Sequence, residues 1–261
     1  MVQFIENYAE IIELATQFIR DEISNSHTKG VVIGLSGGID SAIIAYLASN
    51  ALGKDKVALV HLPEEELDII HTNDAQSIAD DLDILLRTIN ISPMLNGAFQ
   101  LLPDVEDNPL AKGNLKARIR AIILYSIANL ENRLVVGTSN KSEISIGYGT
   151  KFGDLAADIW PIGQLYKTEV YEIARKLGVN DKIITKPPTA GLWKGQTDEK
   201  EIGISYEKLD RFLIGLESNG IEEVLIKELQ LVKEQSIRIK KLIENSQHKR
   251  RMPKTLQIKR K

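Results

Sequence analysis

The sequence predicts an α/β fold, a parallel sheet with helices on both of its faces. Three observations predict it. Short apolar runs rich in β-branched residues, 31–35 (VVIGL), 57–61 (VALVH) and 133–137 (RLVVG), alternate with longer stretches of helical period. The first run, VVIGL, is apolar throughout rather than at every second residue, as in strands covered on both faces. A glycine-rich loop, SGGIDS, joins the first run to the helix that follows it.

Taken in order, Phe4, Tyr8, Ile11, Ile12, Ala15, Phe18 and Ile19 fall at helical spacing and predict an amphipathic first helix. The loop 24–30 (SNSHTKG) leads into the first strand. SGGIDS follows, then a helix over 42–52 stopped by Gly53, then the second strand. An acidic loop (PEEELD) precedes a helix over 73–82, and 85–91 reads as a third strand. A long helix over 114–130 carries Leu115, Ile119, Ile122, Ile123 and Ile127 on one side, and the fourth strand comes after it. Residues 140–158 are polar, glycine-containing and without a clear period. A helix over 168–177 ends at Gly178. Residues 185–201 read as a long loop, too rich in Pro and Gly to be regular. Two helices, near 206–216 and 221–244, complete the chain. With no repeat and no low-complexity linker, 1–261 reads as one domain with a basic tail, 248–261.

Composition narrows the function classes. Apolar residues make up 43% of the 261 and charged residues 26%, which suits a globular chain and not a disordered one. The absence of cysteine excludes disulfides, thiolate metal sites and a thiol nucleophile. The longest apolar-rich run, 121–130 (AIILYSIANL), is about half of what a bilayer span needs. The first residues carry acids where a signal peptide carries bases. A cytoplasmic location and no membrane partner are the expectations. The tail 248–261 holds seven Lys or Arg and no acid, leaving 26 basic against 36 acidic residues elsewhere. A nucleic-acid-binding body carries its positive charge on the body, so no nucleic-acid partner is expected.

In open parallel sheets, ligands bind beyond the carboxyl ends of the strands. SGGIDS, the loop after Val136 and the acidic loop after His61 all belong to that rim. The strongest signal is GLSGGIDS: Gly34, Leu35, Ser36, Gly37, Gly38, Ile39, Asp40 and Ser41. Glycines allow a tight turn and close backbone approach, the helix start offers free N–H groups and a positive dipole end, and two serines add hydroxyls. The arrangement suits phosphate or pyrophosphate. It lacks the lysine of the common P-loop and the spacing of the dinucleotide fingerprint. Asp40 would repel a phosphate unless a Mg²⁺ ion stood between them, and Mg²⁺ takes a carboxylate together with phosphate oxygens. A plain glycine turn, with Asp40 and Ser41 capping the helix, is the structural alternative.

SGGIDS resembles the signature of the ATP pyrophosphatases, which cleave ATP between its α and β phosphates and adenylate an acceptor. Three more blocks narrow the resemblance: GTSNKSEISIGYGTKFGDLAADIWPIGQLYKTEV (137–170), KPPTAGLWKGQTDEKEIGISYEKLD (186–210) and HKRRMP (248–253). With SGGIDS, they resemble the NAD⁺ synthetases, in the short, ammonia-using form that lacks a glutaminase domain. That resemblance implies a Rossmann-like sheet of the adenine nucleotide alpha hydrolase type and a ligase reaction. ATP adenylates the nicotinate carboxylate of deamido-NAD⁺, and ammonia then displaces AMP to give NAD⁺. It also implies Mg²⁺ as cofactor, ATP as co-substrate and a homodimer. Carried over residue by residue, Gly34 to Ser41, Thr138, Lys167 and Thr189 would contact ATP, and Asp40 and Glu143 would bind Mg²⁺. Arg118, Lys151, Asp158, His248 and Lys249 would contact deamido-NAD⁺, the tail acting as a flap. Asp40, Lys167 and Asp154 form the expected catalytic set, Asp154 at the ammonia or nicotinate end.

Two departures stand out. Leu155 and Ala156 replace a Gly-Gly that many relatives carry, which questions the path of that loop. The acidic PEEELDII lacks the serines expected there, which leaves the adenine or ribose contacts near Leu62 and Pro63 open. The competing readings are another ATP pyrophosphatase, GMP synthetase-like or tRNA-modifying, and a non-catalytic nucleotide-binding protein. The second should lack the magnesium carboxylate or the activating lysine, whereas Asp40 and Lys167 are both present.

Overall fold

Burial alternates along the first strand and assigns its two faces. In β1 (Val31–Gly34), Val31 and Ile33 enter one apolar cluster and Val32 another, and all three are fully buried. The computed structural model describes residues 4–64, 69–189 and 197–258. The remaining elements, in chain order, begin with α1 (Tyr8–Ser26), α2 (Ile39–Leu52), β2 (Val57–His61), α3 (Ile69–Asp81) and β3 (Leu86–Thr88). Next come α4 (Ser92–Leu101), α5 (Pro103–Glu106), α6 (Pro109–Glu131), β4 (Leu134–Val136), α7 (Lys141–Ile146), α8 (Lys167–Leu177) and α9 (Asp181–Ile184). The chain ends in α10 (Asp198–Ile202), α11 (Tyr206–Glu217), α12 (Glu222–Glu228) and α13 (Lys233–Asn245).

The sheet is parallel throughout, in the order β3-β2-β1-β4. Val31 pairs with Val57 on one side and Leu134 on the other, and a bridge from Val136 to Ile159 extends the β4 edge. Helices α1, α2 and α8 cover the Val31–Ile33 face, and α4 and α6 cover the Val32–Val60–Val135 face. Both faces are therefore covered, as the apolar run of β1 requires. A third cluster, built around Phe212, Leu209 and Ile239, forms a layer of short helices with contributions from Ile146 and Tyr166. Because β2 and β4 flank β1 on opposite sides, the connections leave β1 and β4 in opposite directions, and a crevice opens at their carboxyl ends.

Several sequence expectations need correction. The span 221–244 is two helices: the Leu229 N–H closes on Leu225, Gln230 takes a left-handed φ of 50°, and the Val232 N–H donates to Gln235 Oε1 (3.1 Å) to start α13. Residues 140–158 contain α7, whose six residues are too few to display a period. Helices α4 and α5, each opened by a proline in its first turn, precede the long helix, which itself begins at Pro109. The third strand shrinks to Leu86–Thr88, and α3 starts at Ile69, earlier than its period shows. The loop over 185–201 ends in α10; its residues 190–196 lie outside the described residues, as do 65–68 of the acidic loop and 259–261 of the tail. Phe18 and Ile122, expected on inward faces, are exposed. On α6 the inward positions go largely to small residues, Ala117, Ala121 and Ala128 beside Ile119 and Ile127, and Ile122 falls on the other side. No helix among the described residues is long and apolar enough to cross a membrane.

Candidate active site

Three loops at the carboxyl ends of β1, β2 and β4 meet around one cleft of about 550 Å³, within the range of small-molecule sites. The loop after β1 makes its floor. Gly37 takes φ 80°, and a Cβ there would lie 2.5 Å from the His71 carbonyl, so only glycine lets α3 pack this close. Ser41 Oγ accepts from the Ser36 N–H (3.2 Å) and donates to the Gly38 carbonyl (2.9 Å), which fixes the turn. Helix α2 begins at Gly38 with no side-chain cap, so Asp40 and Ser41 do not cap it as the structural alternative supposes. The Asp40 carboxylate turns away and pairs with Lys167 Nζ.

Lys167 opens α8, where the helix dipole disfavours a cation. It is buried, and its ammonium also meets Glu143 Oε1 at 3.3 Å. Two carboxylates thus stabilise a cation that neither burial nor the dipole favours. Asn140 completes the group. It caps α7 by accepting from the Glu143 N–H (3.1 Å), and its Nδ2 donates to Asp40 Oδ1 (2.9 Å). Glu143 Oε2 accepts from the Asn140 N–H (3.4 Å), a capping box that leaves Oε1 for Lys167. Burial raises the Glu143 pKa; the Lys167 charge opposes the rise, and Asp40 and Asp198 add to it. Burial alone would lower the Lys167 pKa, but Asp40 and Glu143 outweigh it and hold the ammonium charged.

A second group faces the first. The Tyr148 hydroxyl bridges Asp198 Oδ1 (3.0 Å) and Glu201 Oε2 (2.7 Å), and the Tyr206 hydroxyl reaches Asp198 Oδ2 (3.2 Å). Lys167 Nζ also stands 5.3 Å from the centre of the Tyr206 ring. Burial raises the pKa of Asp198 and of both tyrosines. Asp154 is exposed to the same cleft and accepts from the Thr150 N–H (2.9 Å). Leu155 is buried, and neither it nor Ala156 has a positive φ, so this loop follows its path without the glycines found in relatives. The Lys249 amine donates to the carbonyls of Gly147 (2.8 Å) and Gly149 (2.7 Å).

The expected residues divide in two. Gly34, Leu35, Ser36, Gly38, Ile39, Asp40, Ser41, Thr138, Glu143, Asp154, Lys167, Thr189 and Lys249 all line the cleft. Gly37, turned against α3, and Arg118, Lys151, Asp158 and His248 stand outside it. Arg118 Nε donates to the Lys151 carbonyl (3.3 Å). Asp158 Oδ2 accepts from the Val135 N–H (2.7 Å) and Oδ1 from the Tyr125 hydroxyl (3.4 Å). His248 is exposed.

Sequence reasoning missed several residues of the site. Asn140 was readable, because N-x-x-E before a helix is a capping-box pattern. Tyr148 and Asp198 lie in blocks already singled out, but nothing in their spacing announces that they meet. His61, at the end of β2, has its Nδ1–H on the Leu35 carbonyl (2.8 Å) and its Nε2 against the Thr72 hydroxyl (3.0 Å). Lys186 Nζ bonds Asp74 Oδ2 (2.7 Å) and His71 Nδ1 (2.9 Å), tying the segment after α9 to α3 beside the glycine loop.

Comparison with known proteins gives the family and the fold. A family described as NAD synthase matches residues 11–253. An "NH(3)-dependent NAD(+) synthetase" of Methanocaldococcus jannaschii is 47% identical over 255 residues, covering 97% of this chain and 98% of that protein. Among solved structures, an NH3-dependent NAD synthetase from Campylobacter jejuni superposes with a TM-score of 0.81 at 34% identity, over 97% of this chain and 100% of that one. An NMN synthetase from Francisella tularensis superposes with a TM-score of 0.85, also at 34% identity, over 97% of this chain and 100% of that one.

Proposed function

The chain belongs to the NAD synthase family, and from that membership we propose that it makes NAD⁺ from deamido-NAD⁺, ATP and ammonia. A nicotinate carboxylate oxygen attacks the α-phosphorus of ATP, the bond to the β-phosphate breaks, and pyrophosphate leaves. The nitrogen of ammonia then attacks the acyl carbon. The bond to AMP breaks, AMP carries away the former carboxylate oxygen, and the nitrogen gives up its extra proton. The observation that carries the reading is the Lys167 ammonium held by Asp40 and Glu143 beside the uncapped start of α2, in a cleft that takes a small molecule.

The chain's own groups support each part. The Gly34–Ser41 backbone and the Ser36 hydroxyl cradle phosphate oxygens, with Ser41 fixing the turn and Thr138 and Thr189 alongside. Lys167 offsets the charge that grows on the α-phosphate. The apolar wall of Leu62, Leu124 and Val135 accepts a flat base. Asp154, a carboxylate open to the cleft, takes the proton that the incoming nitrogen loses. The donor set fits Mg²⁺: Asp40 and Glu143 already gather around one cation, and an ion held by one or two carboxylates plus substrate phosphates needs no more from the protein. When bound there, Mg²⁺ supplies positive charge to the phosphate oxygens.

The working unit is one domain, a homodimer in the cytoplasm. On α6, Arg118, Ile122 and Tyr125 share an exposed or half-buried face, with Lys151 and Asp158 beside it. A second copy seated on that face would bring these groups to the acceptor. The test is to incubate the purified protein with ATP, Mg²⁺, deamido-NAD⁺ and ammonium and separate the products. NAD⁺, AMP and pyrophosphate in equal amounts support the reading; AMP and pyrophosphate without NAD⁺ would limit it to adenylation. The likeness to an NMN synthetase favours a second acceptor, so nicotinate mononucleotide is tried in parallel, and faster turnover with it would reassign the substrate.

A further inference from the structure

We infer that Asp210, a carboxylate on α11 that does not line the cleft, is a positioning residue that fixes Lys167 against Glu143; the inference rests on the reaction proposed above. Asp210 is completely buried. Its Oδ1 accepts from the Ser142 hydroxyl (2.5 Å), and its Oδ2 accepts from both the Thr168 N–H and the Thr168 hydroxyl (2.9 Å each). Ser142 spends its one proton on Asp210, so its oxygen is free to accept the Lys167 N–H (2.8 Å). The carboxylate therefore holds the first turns of α7 and α8 together, each one residue away from a residue of the site.

The contacts close into a ring. Glu143 follows Ser142, Ser142 holds the Lys167 backbone, and the Lys167 side chain returns to Glu143 at 3.3 Å. Asp210 is the member contributed from outside α7 and α8, by the layer of short helices. It also takes the Thr168 N–H, a first-turn donor of α8 that Tyr166, with no side-chain cap, leaves over. A carboxylate suits this place because it accepts on both oxygens at once. An asparagine of the same shape would aim an N–H₂ at one of three donors.

Wild type, Asp210→Asn, Ser142→Ala and Thr168→Val are compared by kcat, by KM for ATP and for deamido-NAD⁺, by Mg²⁺–ATP affinity in calorimetry and by thermal melting. Misplacing a reacting group by about 1 Å can cost about 10²-fold. Asp210→Asn should therefore lose at least ~30-fold in kcat and bind Mg²⁺–ATP more weakly, while the KM for deamido-NAD⁺ stays within ~3-fold. Ser142→Ala, which keeps the carboxylate, should move the same quantities by about 10-fold and decides the matter if Asp210→Asn does not fold. Unchanged kcat and ATP affinity in folded variants would overturn the inference. So would losses on ATP and acceptor alike that merely follow the melting temperature. If wild type makes no NAD⁺ the functional reading fails instead, and ATP affinity still reports whether Asp210 positions the site.

Discussion

A lysine in the first turn of a helix opposes the helix dipole, and burying it costs more. Lys167 tolerates both because Asp40 and Glu143 meet its ammonium. Replacing it with methionine would leave two carboxylates close together in a desolvated site. Lys167→Met should cut kcat by at least about 10²-fold, since preorganised charge at the reacting phosphate is worth several kcal/mol; a product assay within 10-fold of wild type would remove Lys167 from the chemistry. Asp40→Asn should do the same, and by weakening Mg²⁺–ATP binding. Asp210 supplies a pH signature. Burial lifts its pKa to about 6 against the hydrogen bonds from Ser142 and Thr168. The folded state then binds a proton that the unfolded chain, with an ordinary aspartate near 4, releases. Its contribution to stability therefore rises as pH falls from about 6 to about 4. Measured by urea unfolding, wild type should gain on Asp210→Asn across that window by no more than about 3 kcal/mol. The glycine loop was readable from its own residues, and Lys167 and Glu143 through the family resemblance of the block that holds both. Asp210 was not, because its partners lie 42 and 68 residues away and only tertiary packing brings them together.

At the level of elements, the start of the tail is docked on the body by its cations. Arg250 lays its guanidinium on the carbonyls of Ile144 (3.1 Å), Ser145 (2.7 Å) and Ile243 (2.6 Å), so one cation serves the carboxyl ends of both α7 and α13. Lys249 holds the turn that carries Tyr148. Arg250→Met should destabilise the fold by about 2–3 kcal/mol, the worth of charged hydrogen bonds to backbone, as read from urea unfolding. Ending the chain before His248 should raise the KM for deamido-NAD⁺ more than that for ATP, and equal rises would point to collapse of α7. Long helices such as α6 and α8 announced themselves by period or by a terminal glycine. Helix α7 is too short to do so, and α12 and α13 ran together because apolar residues continue through Leu229, Leu231 and Val232 with no Gly or Pro between them.

For the whole molecule, parallel strands and two covered faces were legible from the strands' composition, whereas the order β3-β2-β1-β4 was not. Strand order depends on which side each crossover takes, and local sequence does not encode that. The order matters because it puts the crevice between the ends of β1 and β4. It also leaves α6 with one face on the sheet and another outward, where Ile122 is 56% exposed. If that outward face seats a second copy, Ile122→Glu should turn a dimer into a monomer by light scattering and weaken deamido-NAD⁺ more than ATP. A monomeric wild type would sink the idea.

Helix α2 is enclosed by α1, α8 and the sheet, and residues 42–45 are wholly inaccessible to water. Local unfolding draws on regions with few buried contacts, so the backbone amides of α2 should exchange with deuterium among the slowest in the protein. The glycine loop proposed to hold phosphate is thus mounted on one of the most deeply buried helices of the molecule. If the exchange data agree, any motion that admits and releases substrates belongs to the surrounding loops, with this loop as the fixed reference.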